Sequence, residues 1–104
     1  MASETYLDFC FVQKSNGSLA EYVQSSFEQL FKHERRLRWH FDEKQENHAE
    51  IIVAEVKGMS RWASAEDLID YLEEHASEKF WSILQGYQFQ VLPVTKGCST
   101  NGNR

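Results

Sequence analysis

The sequence predicts an α+β domain whose elements follow one another as β-α-β-β-α-β. Three observations lead there. Apolar residues recur at every second position in four separate stretches and at helical spacing in two others. The length, 104 residues, suits one hydrophobic core. The composition, 41% apolar with a single proline, is that of a folded domain and neither a disordered nor a collagen-like chain.

The first strand runs from Thr5 to Gln13, with Leu7, Phe9 and Phe11 on one face and Tyr6, Asp8, Cys10 and Val12 on the other. Lys14 to Gly17 supply a turn, and Gly17 can take a positive φ. Ser18 with Glu21 three positions on has the form of a capping box. Leu19, Tyr22, Val23, Phe27, Leu30 and Phe31 then mark an amphipathic helix that His33 ends. From about Arg36 the period returns to two: Leu37, Trp39 and Phe41 alternate with Arg38, His40 and Asp42. The polar run Glu43 to Asn47 reads as a hairpin loop, and a strand rich in β-branched residues follows from His48 to Val56.

Ser64 and Asp67 open a second helix, with Glu66 near the positive end of its dipole. Leu68, Tyr71, Leu72, His75 and Ala76 form its stripe, and Ser77 with Glu78 allows a fresh cap and a bend before Phe80, Ile83 and Leu84. Gly86 ends the run, and a last strand, Tyr87 to Leu92, stops near Pro93. Residues 1–96 thus read as one domain. Residues 97–104, Gly97 to Arg104, read as a mobile tail with nothing to bury.

Strand–helix–strand, hairpin and helix–strand is the split βαβ arrangement of the ferredoxin-like class. Right-handed crossovers give a four-stranded antiparallel sheet of order 4-1-3-2 with both helices on one face. Leu7, Phe9, Phe11, Leu37, Trp39, Phe41, Tyr87, Phe89 and Val91 would then meet the helical stripes as a core. The opposite face would show Tyr6, Asp8, Cys10 and Val12, then Arg38, His40 and Asp42. From the third strand it would take Glu50, Ile52, Ala54 and Val56, and from the fourth Gln88, Gln90 and Leu92. Candidate binding residues on this face are Tyr6, Asp8, Cys10, Arg38, His40, Ile52, Gln88 and Gln90. Such a face is open to three uses: solvent contact alone, a symmetric dimer, or a different partner or ligand.

The chain resembles the dimeric α/β-barrel group that includes the antibiotic-biosynthesis-type monooxygenases. The likeness spans Tyr6 to Val94 and rests on element order and length. It also rests on the stretch from Glu55 and Val56 through Ser64 to Leu68, Tyr71, Leu72 and Phe80 to Val91 to Val94. Tyr71 and Lys79 stand where that group commonly has histidine, and Lys57 where it commonly has Trp. The resemblance implies a homodimer whose two sheets face each other across a cavity. It also implies, as an alternative function, a cofactor-independent oxygenase acting in that cavity.

Catalytic chemistry is thinly represented. His40, Asp42, His48 and Glu50 could approach across the hairpin with metal-ligand chemistry, but hairpin residues of these types are usually only polar, and no metal is expected. Cys10 and His40 would lie two strand spacings apart, about 10 Å, too far for a thiol and its base. His75 reads as a core or boundary histidine. No glycine-rich phosphate loop, HExxH or Ser-His-Asp spacing is present, so no catalytic residue and no cofactor are assigned.

Net charge is −5, with 16 Asp and Glu against 11 Lys and Arg. Lys32, Arg35, Arg36 and Arg38 make a basic knot. Glu66, Asp70, Glu73 and Glu74 make the second helix acidic outside. Both patches are candidate partner-binding surfaces, Arg35 and Arg36 on one and the four acids on the other. The acidic balance and the third strand's lack of aromatics on the open face, where it would show only Glu50, Ile52, Ala54 and Val56, weigh against nucleic acid. No apolar run is long enough for a membrane span, the start lacks a secretory pattern, and Cys10 and Cys98 have no paired spacing, so a cytoplasmic protein is expected. The function these features favour is a small non-catalytic binding or regulatory protein that engages a protein partner and is itself dimeric. The alternatives are the oxygenase above and an acidic inhibitor acting through the second helix.

Overall fold

The computed structural model describes residues 2–15 and 17–94. The expected tail at 97–104, and Cys98 within it, lie outside the described residues. Seven elements follow in order: β1 (Ser3–Lys14), α1 (Leu19–Leu30), β2 (Leu37–Glu46), β3 (Ala49–Ser60), α2 (Ala65–His75), α3 (Glu78–Ile83) and β4 (Leu84–Pro93). The strands form one antiparallel sheet in the order β2-β3-β1-β4, the predicted 4-1-3-2 read from its other edge. Among the described residues no helix is long and apolar enough to cross a membrane.

The central ladder pairs Leu7 with Val56, Phe9 with Ala54 and Phe11 with Ile52. Directly opposed residues of an antiparallel pair share a face, so all six point to the helices, and all are buried. The third strand is therefore turned over relative to the sequence expectation. Ile52, Ala54 and Val56 belong to the core, and Ile51, Val53, Glu55 and Lys57 stand on the open face. The expectation failed because residues 51–54 are apolar at both parities. The charges that decide the matter are Glu55 and Lys57, which share a face and would be costly to bury unpaired.

Leu19, Val23, Phe27 and Leu30 of α1 meet this face together with Leu68 and Leu72 of α2 and Phe80 and Ile83 of α3. The core is strongly aromatic. Phe9 lies 5.0 Å from both Phe27 and Phe89 and 6.2 Å from Phe80, and Phe27 in turn contacts Phe31, Trp39 and Phe41 at 5.3 to 5.9 Å. Tilted and edge-on pairs such as these add to the burial of their area. Tyr87, expected in the core, stacks on Phe89 at 4.7 Å yet is half exposed, because β4 is an edge strand.

Local signals and distant ones share the work of ending the elements. The Ser64 and Ser77 hydroxyls accept from the Asp67 and Phe80 N–H groups, capping α2 and α3 and producing the expected bend. At α1 the Ser18 hydroxyl makes no cap bond. The Glu50 carboxylate, reaching over from β3, accepts from the N–H groups of Gly17 and Leu19, the latter at 3.1 Å. A carboxylate there also suits the positive end of the helix. The helix stops at Leu30, so His33 lies in the turn beyond it and not in its last turn.

The hairpin between β2 and β3 is tighter than expected. Pairing continues to Glu46 and Ala49, leaving Asn47 and His48 as a two-residue turn with φ of 48° and 67°. Positive φ at both central residues matches the type I′ turn, whose twist agrees with that of the strands. At the opposite end of the sheet the Val94 N–H donates to the Ala2 carbonyl at 3.0 Å, and buried Ser3, Thr5 and Ser60 satisfy one another and the Trp62 carbonyl at 2.6 to 3.0 Å.

Gly58 has a φ of +142°, and a Cβ there would collide with the backbone carbonyl of Arg36. Replacement by alanine combines a strained backbone with a clash that no side chain can relieve. Gly58→Ala is expected to cost about 3 kcal/mol or more and to lower the melting temperature by roughly 10–20 °C. A calorimetric scan against the wild-type chain measures this.

Candidate functional site

The open sheet face is built by the residues that the alternation turns away from the helices. From β2 across to β4, one row is Arg38, Lys57, Tyr6 and Gln90, the next is His40, Glu55, Asp8 and Gln88, and the third is Asp42, Val53, Cys10 and Gly86. Beyond them Ile51 lies opposite Val12, and at the other end Met59 lies opposite Glu4 and Glu4 opposite Leu92. Half-buried Cys10, Val12, Ile51 and Val53 form the apolar centre. Cations border that centre's charged neighbours on one side, and Tyr6 and Leu92 remain 40% and 45% exposed.

The face thus brings together Tyr6, Asp8, Cys10, Arg38, His40, Gln88 and Gln90 as the sequence indicated. It does not include Ile52, which is 2% exposed in the core. Its place is taken by Ile51 and Val53, which the sequence reading missed. The signal that could have found them is their shared parity with Glu55 and Lys57.

His40 lies between Arg38 and Asp42 on the outer strand, its Nε2 3.8 Å from Asp42 Oδ1 with both side chains exposed. Glu50 is on the other side of the sheet at the start of α1, so the four hairpin residues weighed for a metal do not converge. Among the described residues no group of three His, Cys, Asp or Glu side chains does. Cys10 lies in β1 with β3 between it and β2, the separation from His40 that the sequence implied.

The charged patches sit elsewhere. Arg35 and Arg36 are exposed in the turn between α1 and β2, and Glu66, Asp70, Glu73 and Glu74 are exposed along α2. His75, expected on the apolar stripe, is half exposed. Its ring covers Tyr71 at 4.4 Å, and its Nε2 is 3.3 Å from Glu74. The Tyr71 hydroxyl donates to the Leu30 carbonyl at 2.6 Å and ties α2 to the end of α1. Burial pushes its pKa up, while the nearby Arg61 guanidinium pulls the other way. Arg61 in turn is anchored, Nε to Oε2 at 3.0 Å, by the buried carboxylate of Glu34.

No family model matches the chain, and no curated protein matches it in sequence. The likeness is one of shape. A de novo designed protein, Foldit4, superposes with a TM-score of 0.53 at 10% identity, over 89% of this chain and 98% of its own. The C-terminal domain of the MgtC protein from Mycobacterium tuberculosis superposes with a TM-score of 0.50 at 8% identity, over 86% of this chain and 87% of its own. These neighbours support a small α/β fold with a four-stranded antiparallel sheet, and no family match supports the monooxygenase-like group.

On the open face the Tyr6 hydroxyl donates to Glu4 Oε1 at 3.0 Å. That hydrogen bond first, and the carboxylate charge second, raise the phenol above its ordinary value of 10.0. The bond favours the neutral phenol. Its contribution is therefore complete below the unfolded value and fades as pH rises through the higher folded one. Ultraviolet titration of Glu4→Gln is expected to move the Tyr6 phenolate transition back toward 10.0 without altering the other tyrosines.

Proposed function

We propose that the protein is a binding module of the ferredoxin-like type, regulatory in character, that engages a protein partner through the open face of its sheet. The observation that carries this reading is the arrangement of that face, with an apolar centre of Cys10, Val12, Ile51 and Val53 beside rows of opposite charge. An apolar centre within a polar frame is the anatomy of a protein interface. The cations Arg38 and Lys57 and the carboxylates Asp8 and Glu55 occupy adjacent rows. Complementary charge of this kind orients an encounter and sets its rate.

The partner best suited to the layout is a second copy of the chain. A twofold axis between the two charged rows would set Lys57 of one copy against Glu55 of the other and Tyr6 against Asp8. Both contacts repeat by symmetry, as an isologous interface requires. The apolar centre of each copy would then leave water.

Sedimentation is the test. The wild-type chain is expected to dimerise, and Val53→Lys, which puts an ammonium into the apolar part of the contact, is expected to weaken the dimer by about tenfold or more while circular dichroism stays unchanged. A wild-type chain that remains monomeric at about 100 µM, where a contact of roughly 5.5 kcal/mol would be half formed, removes the second copy as the occupant.

A further inference from the structure

The chain carries a net charge of −5, yet six of its eleven Lys and Arg residues gather at one end of the domain: Lys32, Arg35, Arg36, Arg38, Lys57 and Arg61. Three grooves run between them. One of about 380 Å³ lies beside Arg36, Arg38 and Lys57. A second of about 280 Å³ lies beside Arg35, Arg36 and Arg61. The third, about 350 Å³, lies beside Lys32, Arg61 and Tyr71. Arg36 borders the first and second, and Arg61 the second and third, so the three grooves are neighbours around the end of the fold.

Within this cluster only Arg61 has an ionic partner among the described residues, the buried Glu34. The other five form no ion pair among the described residues, and the carboxylate that shares a groove with them, Glu55, stands against three cations, Arg36, Arg38 and Lys57. Part of what holds them together is covalent geometry. Gly58, lacking a Cβ, lets the Arg36 backbone close onto β3, where the Met59 N–H donates to the Arg36 carbonyl at 3.4 Å. Like charges kept close by the fold are unfavourable for the free protein and become favourable when an anion spans them.

Four of the six are arginines, whose planar forks pair bidentately with carboxylates. The rings that line the grooves are already committed, and Tyr6, the exposed ring opposite Lys57, has its hydroxyl on the Glu4 carboxylate. Trp39 packs on Phe27 and Phe31 with its ring N–H turned to Gln24, and Tyr71 packs on Trp62 and His75. That leaves Tyr6 as the platform for a stacked base, beside a carboxylate that repels the phosphates such a base would bring. The first groove is lined from the sheet edge and the third from the ends of the helices, so a flexible chain can reach both where a planar membrane surface cannot.

We propose that this end of the domain binds an acidic segment of a partner protein, an extended run rich in Asp and Glu lying across the neighbouring grooves. The probe is a fluorescein-labelled peptide of about ten residues alternating Asp and Ser, which extended reaches roughly 33 Å and so exceeds the 26 Å width of the domain. Anisotropy titrations are expected to show binding that weakens with added salt. Binding should fall about tenfold or more in the Arg36→Glu/Arg38→Glu variant. It should be unchanged in Lys14→Glu/Lys44→Glu, which makes the same change in net charge at the far end of the sheet. Arg36→Gln/Arg38→Gln serves if the reversal disturbs folding, with a smaller loss expected in the same direction. Equal binding of an Asn/Ser peptide, or an equal loss in the far-end variant, would overturn the proposal. Tighter binding of an oligouridylate of the same length, or of phosphatidylserine vesicles, would overturn it in favour of those partners. Arg38 and Lys57 also stand in the row proposed for the dimer contact, so the arginine variants are sedimented beside the titration: loss of peptide binding with the oligomeric state unchanged assigns the effect to the grooves, and loss only where the dimer is lost overturns the proposal.

Discussion

The rest of the structure depends on the register in which β1 lies against β3. With Phe9 opposite Ala54, the small side chain leaves room above the centre of the sheet, and Phe9 fills it in contact with Phe27, Phe80 and Phe89. Side chains alternate with a period of two, so a slip by one residue would turn a whole strand over. It would bring Glu55 and Lys57 under the helices and put Ala54 and Val56 in water. Hydrophobic burial on one face thus selects the register, and the register in turn determines which residues are left on the other.

Most of the fold was legible because its patterns are local. The alternation in β1 and β2, the helical stripe of α1 and the serine caps of α2 and α3 each express the physics of one element. What escaped was set by contacts between elements. In β3 the run Ile51, Ile52, Val53, Ala54 suits either face, and only pairing with β1 distinguishes them. The cap of α1 comes from Glu50, more than thirty positions along the chain, while Ser18 and Glu21 gave a plausible local substitute. The polar stretch from Glu43 to Glu46 looked like a loop because its strand extends past the core, where both faces meet water and hydrophobic alternation has no reason to appear.

The candidate surfaces were legible in the same measure. Those on β1, β2 and β4 followed from parity and were placed correctly. Ile52 was misplaced along with its strand. The concentration of cations at one end was visible only as a short run around Arg35 and Arg36. Lys57 and Arg61 join them because β3 ends beside the start of β2, a proximity that antiparallel pairing produces and sequence distance conceals. Charge segregation of this kind is a property of the folded chain, and it turns an acidic protein into one with a locally positive end.

The bond between Val94 and Ala2 means that the path of the chain enters and leaves the sheet at neighbouring points. Adjacent entry and exit make a domain portable, because a host protein can receive it within a single surface loop with little added closure entropy. A graft of this sort would project the type I′ turn at Asn47 and His48 outward, at the opposite pole of a body 51 Å long. The fold could therefore serve as a rigid spacer, fixed to its host at one pole and displaying a chosen tip at the other.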